Sequence, residues 1–317
     1  MTGRVDNPSL SLPEKVRALF TSFKGIFAGA LATAPSNAMK FATKVQSTSV
    51  SNTYAWLGQS ASFRKWVGAR VSQAVAKFAY MITNVTWEMT ETVPKENIDD
   101  DNLGLFTPLV ADMAESAARD VDFQIFGAIK NGHVGLCFDG LPYFSTAHPT
   151  EFGEDGVAVE GSPTYSNLLA VTGDGAVQGE PWYVGCTARQ IKPIIYQERQ
   201  APNFVSKTAL TDENVFHSKE FIFGSDKRDA VGYTLPQLMV KCTVPLTAAN
   251  FATAVNMIEA ATGDKGKPLG LTVTDMACGT AMRADAMTLL SADRLSAGQT
   301  NIWKNYCALT VTSFLNP

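Results

Sequence analysis

An α+β fold is predicted by three features of this 317-residue sequence. A long, strongly periodic helix follows Phe106, alternating strand patterns crowd residues 182–244, and the tail mixes helix and strand. The length suits about two domains, or one large body with extensions. A hydrophobic share of 45%, with 24 Gly and 15 Pro, excludes collagen-like, low-complexity and disordered chains. With 26 basic against 30 acidic residues the net charge is −4, so the footprint of a dedicated nucleic-acid binder is missing and any phosphate contact must be local. Charged residues reach only 18%, below the ~25% of typical domains. That neutrality fits either a large core or an outside covered by further copies of the chain.

The first helix is capped by Ser11, begins near Pro13 and ends at Pro35, with Leu12, Val16, Leu19, Phe20, Phe23, Ile26, Phe27 and Leu31 on one face. Gly25–Ala34 only weakly resembles a signal-peptide core, because it continues this amphipathic helix. Through Lys44 the arm carries Arg4, Lys15, Arg17, Lys24, Lys40 and Lys44 against Asp6 and Glu14, a local charge of +4. Those cations are either the solvated back of the helix or a patch for nucleic-acid phosphates.

A Ser, Thr and Asn tract with Tyr54 and Trp56 comes next, followed by a short amphipathic stretch with Phe63, Trp66 and Val67. Val85, Trp87, Met89 and Val93 then alternate with polar residues, as a strand requires. This region has too little apolar material for its own core, so its aromatics are expected to find a partner elsewhere, at a subunit interface.

The long helix places Phe106, Val110, Met113, Ala117, Val121, Ile125 and Ala128 on one face. Thr107-Pro108 provides a cap and first-turn pair, although Asp99–Asp101 could start it earlier. Reaching Lys130, it spans roughly 35 Å. Residues 132–185, rich in Gly, Pro and acids, read as surface, and residues 182–244 as a sheet with a turn at Gly224-Ser225-Asp226. Thr247 caps a helix closed by Gly263, Leu269–Cys278 forms a short strand, and Thr280–Leu290 another helix.

Chemistry-bearing motifs are scarce. Ala261–Pro268 lacks the first Gly and the hydroxyl of a phosphate loop, Gly173-Asp174-Gly175 lacks the third Gly of a dinucleotide fingerprint, and G-x-S-x-G is absent. No stretch is apolar enough to span a membrane. Cys137, Cys186, Cys242, Cys278 and Cys307 contain no C-x-x-C and read as small buried hydrophobes in a reducing cytoplasm. His133, His148 and His217 form no paired metal motif, so a metal site would need a longer-range constellation. Asp139, Ser145 and His148 suggest a catalytic trio, for which a turn held by Asx bonds and a stacked His-Pro is the simpler reading.

Asn52-Thr53-Tyr54-Ala55-Trp56-Leu57-Gly58, Trp66-Val67-Gly68-Ala69-Arg70 and Asp99-Asp100-Asp101-Asn102-Leu103-Gly104 closely resemble the Mu-like phage major head subunit family. Asp139-Gly140, Phe144, His148-Pro149, Lys192-Pro193, Gln197-Glu198-Arg199, Pro202, Phe223-Gly224, Arg228, Gly232-Tyr233 and Leu269-Gly270-Leu271 follow in order, extending the resemblance from about Leu19 onward. The chain departs at Pro236, which implies a sheet edge or bulge, and at Val273 and Gly279.

The resemblance implies the Hong Kong 97-type α+β capsid fold: an N-terminal arm (1–45), an extended β-hairpin loop (46–101), a spine helix with peripheral sheet (102–245) and an axial domain (246–317). It implies a non-enzymatic head protein of a tailed phage or prophage, made in the host cytoplasm and assembled into hexamers and pentamers of an icosahedral virion shell around double-stranded DNA. The expected partners are other copies of the chain, portal and scaffold proteins, packaged DNA and an optional decoration protein, with no cofactor, metal or membrane. Tyr54, Trp56, Leu57, Trp66 and Trp87 are expected at the subunit interface, and Arg4, Lys15, Arg17 and Lys24 on a DNA-facing arm. An encapsulin-like compartment shell is the alternative, and an enzyme built on His148 a more distant rival.

Overall fold

The computed structural model describes residues 12–55, 79–99, 106–153, 155–171, 178–209, 211–263, 266–295 and 298–317. They form two compact units, neither continuous in sequence. The first takes the described residues up to Ser36, with Asn84–Asp122 and Glu198–Ala230; the second takes Asn37–Thr83, Phe123–Gln197 and Val231–Pro317.

In chain order, helix α1 (Leu12–Thr33) leads to strands β1 (Ala42–Gln46), β2 (Ser51–Thr53), β3 (Met81–Thr83) and β4 (Val85–Pro94). A short α2 (Lys95–Asp99) precedes the long α3 (Thr107–Asn131). Four short strands follow: β5 (His148–Pro149), β6 (Thr164–Tyr165), β7 (Leu168–Leu169) and β8 (Trp182–Gly185). Two 14-residue strands, β9 (Ile194–Lys207) and β10 (Glu220–Tyr233), flank α4 (Glu213–Ser218). The chain closes with β11 (Met239–Cys242), α5 (Ala248–Glu259), β12 (Asp275–Cys278), α6 (Arg283–Ser291) and β13 (Ala308–Val311).

The core of the first unit assembles around the apolar face of α1. Val16, Leu19, Phe20, Phe23 and Phe27 pack with Val110, Met113, Ala114 and Ala117 of α3 and with Val93, Phe204, Phe221 and Phe223 of the strands. Phe20 and Phe223 have ring centroids 5.9 Å apart, and Phe27 and Phe204 5.6 Å. Each such burial contributes about 1.5–3 kcal/mol. β4 and β10 run antiparallel from Glu220↔Pro94 to Asp229↔Val85. The turn expected at Gly224-Ser225-Asp226 is not formed, because these residues continue the middle of β10. Gly224 serves close approach instead, since a Cβ there would stand 2.3 Å from the Met89 carbonyl oxygen. The buried Lys227 Nζ lies 2.6 Å from carboxylate oxygens of both Asp120 and Asp229.

The second unit centres on a five-stranded sheet in the order β13-β12-β8-β11-β7. Trp182, Val184, Val240, Cys242, Met276 and Cys278 from its strands share one core with Phe251, Val255 and Ile258 of α5 and Ala286, Leu289 and Leu290 of α6. The Thr247 cap forms as expected, its hydroxyl accepting from the Asn250 N–H at 3.2 Å. The strand expected over 269–278 contracts to Asp275–Cys278, although Leu271 and Val273 are still buried. Pro236 makes neither an edge nor a bulge. It opens the 3-10 turn Pro236–Leu238, where a missing N–H is not needed.

Candidate assembly surface and a buried histidine cluster

β4 lies at one end of the four-stranded order β1-β9-β10-β4, so among the described residues its second edge has no strand partner. Of its ten residues only Val93 is buried. Trp87, opposite Lys227 in the ladder, is 40% exposed, and Val85 and the adjacent Met81 of β3 are also exposed. A long edge that shows apolar side chains is a template for another chain.

The base of the neighbouring loop is zipped by β2 and β3, paired from Ser51↔Thr83 to Thr53↔Met81 and extended by a Tyr54 N–H to Tyr80 carbonyl bond of 2.8 Å. Tyr54 is only 4% exposed within its own chain, and its hydroxyl donates to Gln197 Oε1 at 2.7 Å. Gln197 Nε2 in turn donates to the Ile82 carbonyl at 3.2 Å. The expectation that Tyr54 is laid on a neighbour is therefore corrected: burial pushes its phenol pKa up, and its ring and hydroxyl anchor the loop base to its own chain. The Tyr80 hydroxyl accepts from the Tyr233 N–H at 2.9 Å, and burial pushes its pKa up to about 12. Gly232 leaves the space these residues fill, because a Cβ would lie 2.2 Å from the Ile82 side chain. Trp56, Leu57 and Trp66 lie outside the described residues.

On α1, Arg17 and Lys24 are exposed, flanking the buried aromatic face. Lys15 belongs to this helix, its side chain lying outside the described residues, as does Arg4 altogether.

Sequence reasoning placed residues 132–185 at the surface, yet Cys137, Tyr143, Phe144, His148 and Asn167 are buried. His148 Nδ1 lies 2.6 Å from Asp139 Oδ2, and its Nε2 lies 3.1 Å from the Tyr143 carbonyl. Asp139 Oδ1 accepts from the Cys137 thiol at 2.9 Å and from the Leu141 N–H at 3.0 Å, which is the expected Asx bond. The imidazole stacks on Tyr165 at 5.3 Å. Burial acts to raise the Asp139 pKa, but hydrogen bonds from His148 and Cys137, the His148 charge and the Leu141 N–H outweigh it, leaving the carboxyl below its ordinary value. Burial, reinforced by Asp139, pushes the Cys137 thiol up. Asp139 and His148 thus meet, but not as a triad. The Nε2 that would activate a nucleophile faces a carbonyl, and the Ser145 hydroxyl accepts from the Ala147 N–H instead. His133 contacts the Lys130 carbonyl at the end of α3, and His217 lies in the last turn of α4.

The fold and its relatives define a class, the major capsid proteins of tailed phages with the Hong Kong 97-type fold. Residues 16–315 match the Mu-like prophage major head subunit gpT family, and the chain belongs to that family. It is 34% identical to the major capsid protein of Escherichia phage Mu over 96% of this chain and 99% of that protein. Against the Mu-like prophage FluMu major head subunit of Haemophilus influenzae the identity is 36%, over 89% and 90% of the two. Among solved structures, the procapsid of bacteriophage JBD30 superposes with a TM-score of 0.85 at 37% identity, covering 96% of this chain and all of that one. The JBD30 capsid gives 0.76 at 27% identity, covering 97% and 100%. The chain is accordingly a virion component that builds shells from many copies of itself, and its relatives are structural proteins, not enzymes. The encapsulin-like alternative is not favoured.

Proposed function

We propose that the copies are grouped as hexamers and pentamers of a closed icosahedral shell around double-stranded DNA. Residues 1–45 act as arm, 46–101 as extended loop, 102–245 as spine and peripheral region, and 246–317 as axial domain. The observation carrying this reading is the exposed edge of β4, which follows the anchored loop base in the chain. Ordering a loop costs entropy, and covering Trp87, Trp56, Leu57 and Trp66 with a sister subunit offsets it. Arg4, Lys15, Arg17 and Lys24 face the interior and meet DNA phosphates without sequence preference. Portal and scaffold proteins join during assembly in the host cytoplasm. A decoration protein is a further partner in this reading, in line with a JBD30 capsid decorated with minor capsid protein trimers.

The test of the interface is Trp87→Ala. The variant should stay soluble and folded by circular dichroism while the yield of shells in negative-stain micrographs falls; undiminished particle yield and stability would refute it. For the arm, Lys24 should resist a non-penetrating amine reagent in full particles, and labelling from outside would reject the assignment.

A further inference from the structure

Cys137, Asp139 and His148 form a cluster of metal-ligating side chains apart from the residues assigned to assembly. Sγ of Cys137, a carboxylate oxygen of Asp139 and a ring nitrogen of His148 all lie within 4.8 Å of one another. A thiolate, an imidazole and a carboxylate form a donor set suited to zinc, whereas calcium and magnesium favour oxygen alone. We propose that these three residues bind one zinc-class divalent cation per subunit, with water in the fourth position.

Three features of the surroundings support this. Nε2 of His148 faces the Tyr143 carbonyl, which can only accept, so Nε2 is the donor there and Nδ1, turned toward Asp139, is the nitrogen left to ligate. This is the outer arrangement that holds metal-bound histidines, with the second ring nitrogen donating to a carbonyl. The Leu141 N–H and the Tyr165 ring similarly fix the carboxylate and the imidazole.

Second, the charge balances. As ligands, the Cys137 thiolate and the Asp139 carboxylate carry two negative charges beside a neutral imidazole. One divalent cation balances both charges, so the buried site is neutral when filled, and the protons the ligands held leave to solvent.

Third, the movement is small. Bond lengths of about 2.0–2.1 Å at a tetrahedral metal separate nitrogen from oxygen by roughly 3.3 Å. The present Nδ1 to Oδ2 distance is 2.6 Å. Asp139 is followed by the exposed Gly140, so the turn that carries the carboxylate reaches the surface next to the site.

The experiment loads the purified full chain with Co2+ and then titrates with Zn2+. One cobalt per chain, a thiolate-to-cobalt charge-transfer band and its loss on adding Zn2+ are expected. Cys137→Ser keeps a donor for Asp139 and should fold, but it should lose the band. A saturated, folded protein without the band, or a band that survives in Cys137→Ser, would overturn the site. Should that variant misfold, the wild-type chain still decides: Zn2+ should slow alkylation of Cys137 but not of Cys307, and an unchanged Cys137 rate would likewise overturn it. None of these readouts depends on shell formation.

Discussion

Individual residues here take their roles from what their side chains are denied as much as from what they touch. Phe223 meets Phe20, Phe23 and Phe204 in a buried cluster, so Phe223→Ala should cost about 3–5 kcal/mol, read as a lower urea midpoint. Asp139 behaves differently because its contribution is electrostatic. Its folded-state pKa lies below the ordinary value of 3.8, so its stabilisation is complete above that value and is lost as pH falls through the depressed one. The melting temperature should therefore drop below about pH 4 in the wild type. Asp139→Asn should lower stability at neutral pH and flatten that acid limb. An equally steep limb in the variant would exclude Asp139 as its source.

At the level of elements, helices were the most legible part of the sequence. α1, α3 and α5 each bury one periodic face, and the cap at Thr247 sits where side-chain chemistry puts it, whereas Thr107 is already the first helical residue of α3 and Phe106 takes the place before it. Close approach between strands was not legible. Gly224-Ser225-Asp226 carries turn chemistry, yet the glycine is there because the Met89 carbonyl occupies the space of a side chain. Gly224→Val should split β4 from β10 and destabilise the first unit by about 1–3 kcal/mol, with faster amide exchange along Val85–Pro94 as the local readout. Likewise, Thr247→Ala should remove about 1 kcal/mol through the lost cap of α5. Tyr54 shows the same limit in the candidate site. Its segment lacks a core of its own, but its ring reaches Gln197, 143 positions away, and no local pattern announces such a contact. Trp87, in contrast, stays 40% exposed within its own chain, although its alternation with polar residues implies a covered face. For the histidine cluster, the sequence supplied Asp139 and His148 but not the fold of 132–149 that buries them with Cys137.

Over the whole molecule, the family was legible because its motifs run nearly end to end, whereas the grouping of segments into compact units was not. Each unit recruits three stretches of chain, and α3, β9 and β10 contribute residues to both. Each unit therefore depends on contacts between residues far apart in sequence, and such topologies fold slowly. A ribosome must deliver residues through Ala230 before the first unit has its last strand, and nearly the whole chain before the second is complete. Nascent chains halted earlier would display the aromatic face of α1 with half its cover missing, a natural substrate for a chaperone. A truncation series halted on the ribosome should stay protease-sensitive up to that point and gain resistance in late steps, not in stepwise fashion from the amino terminus.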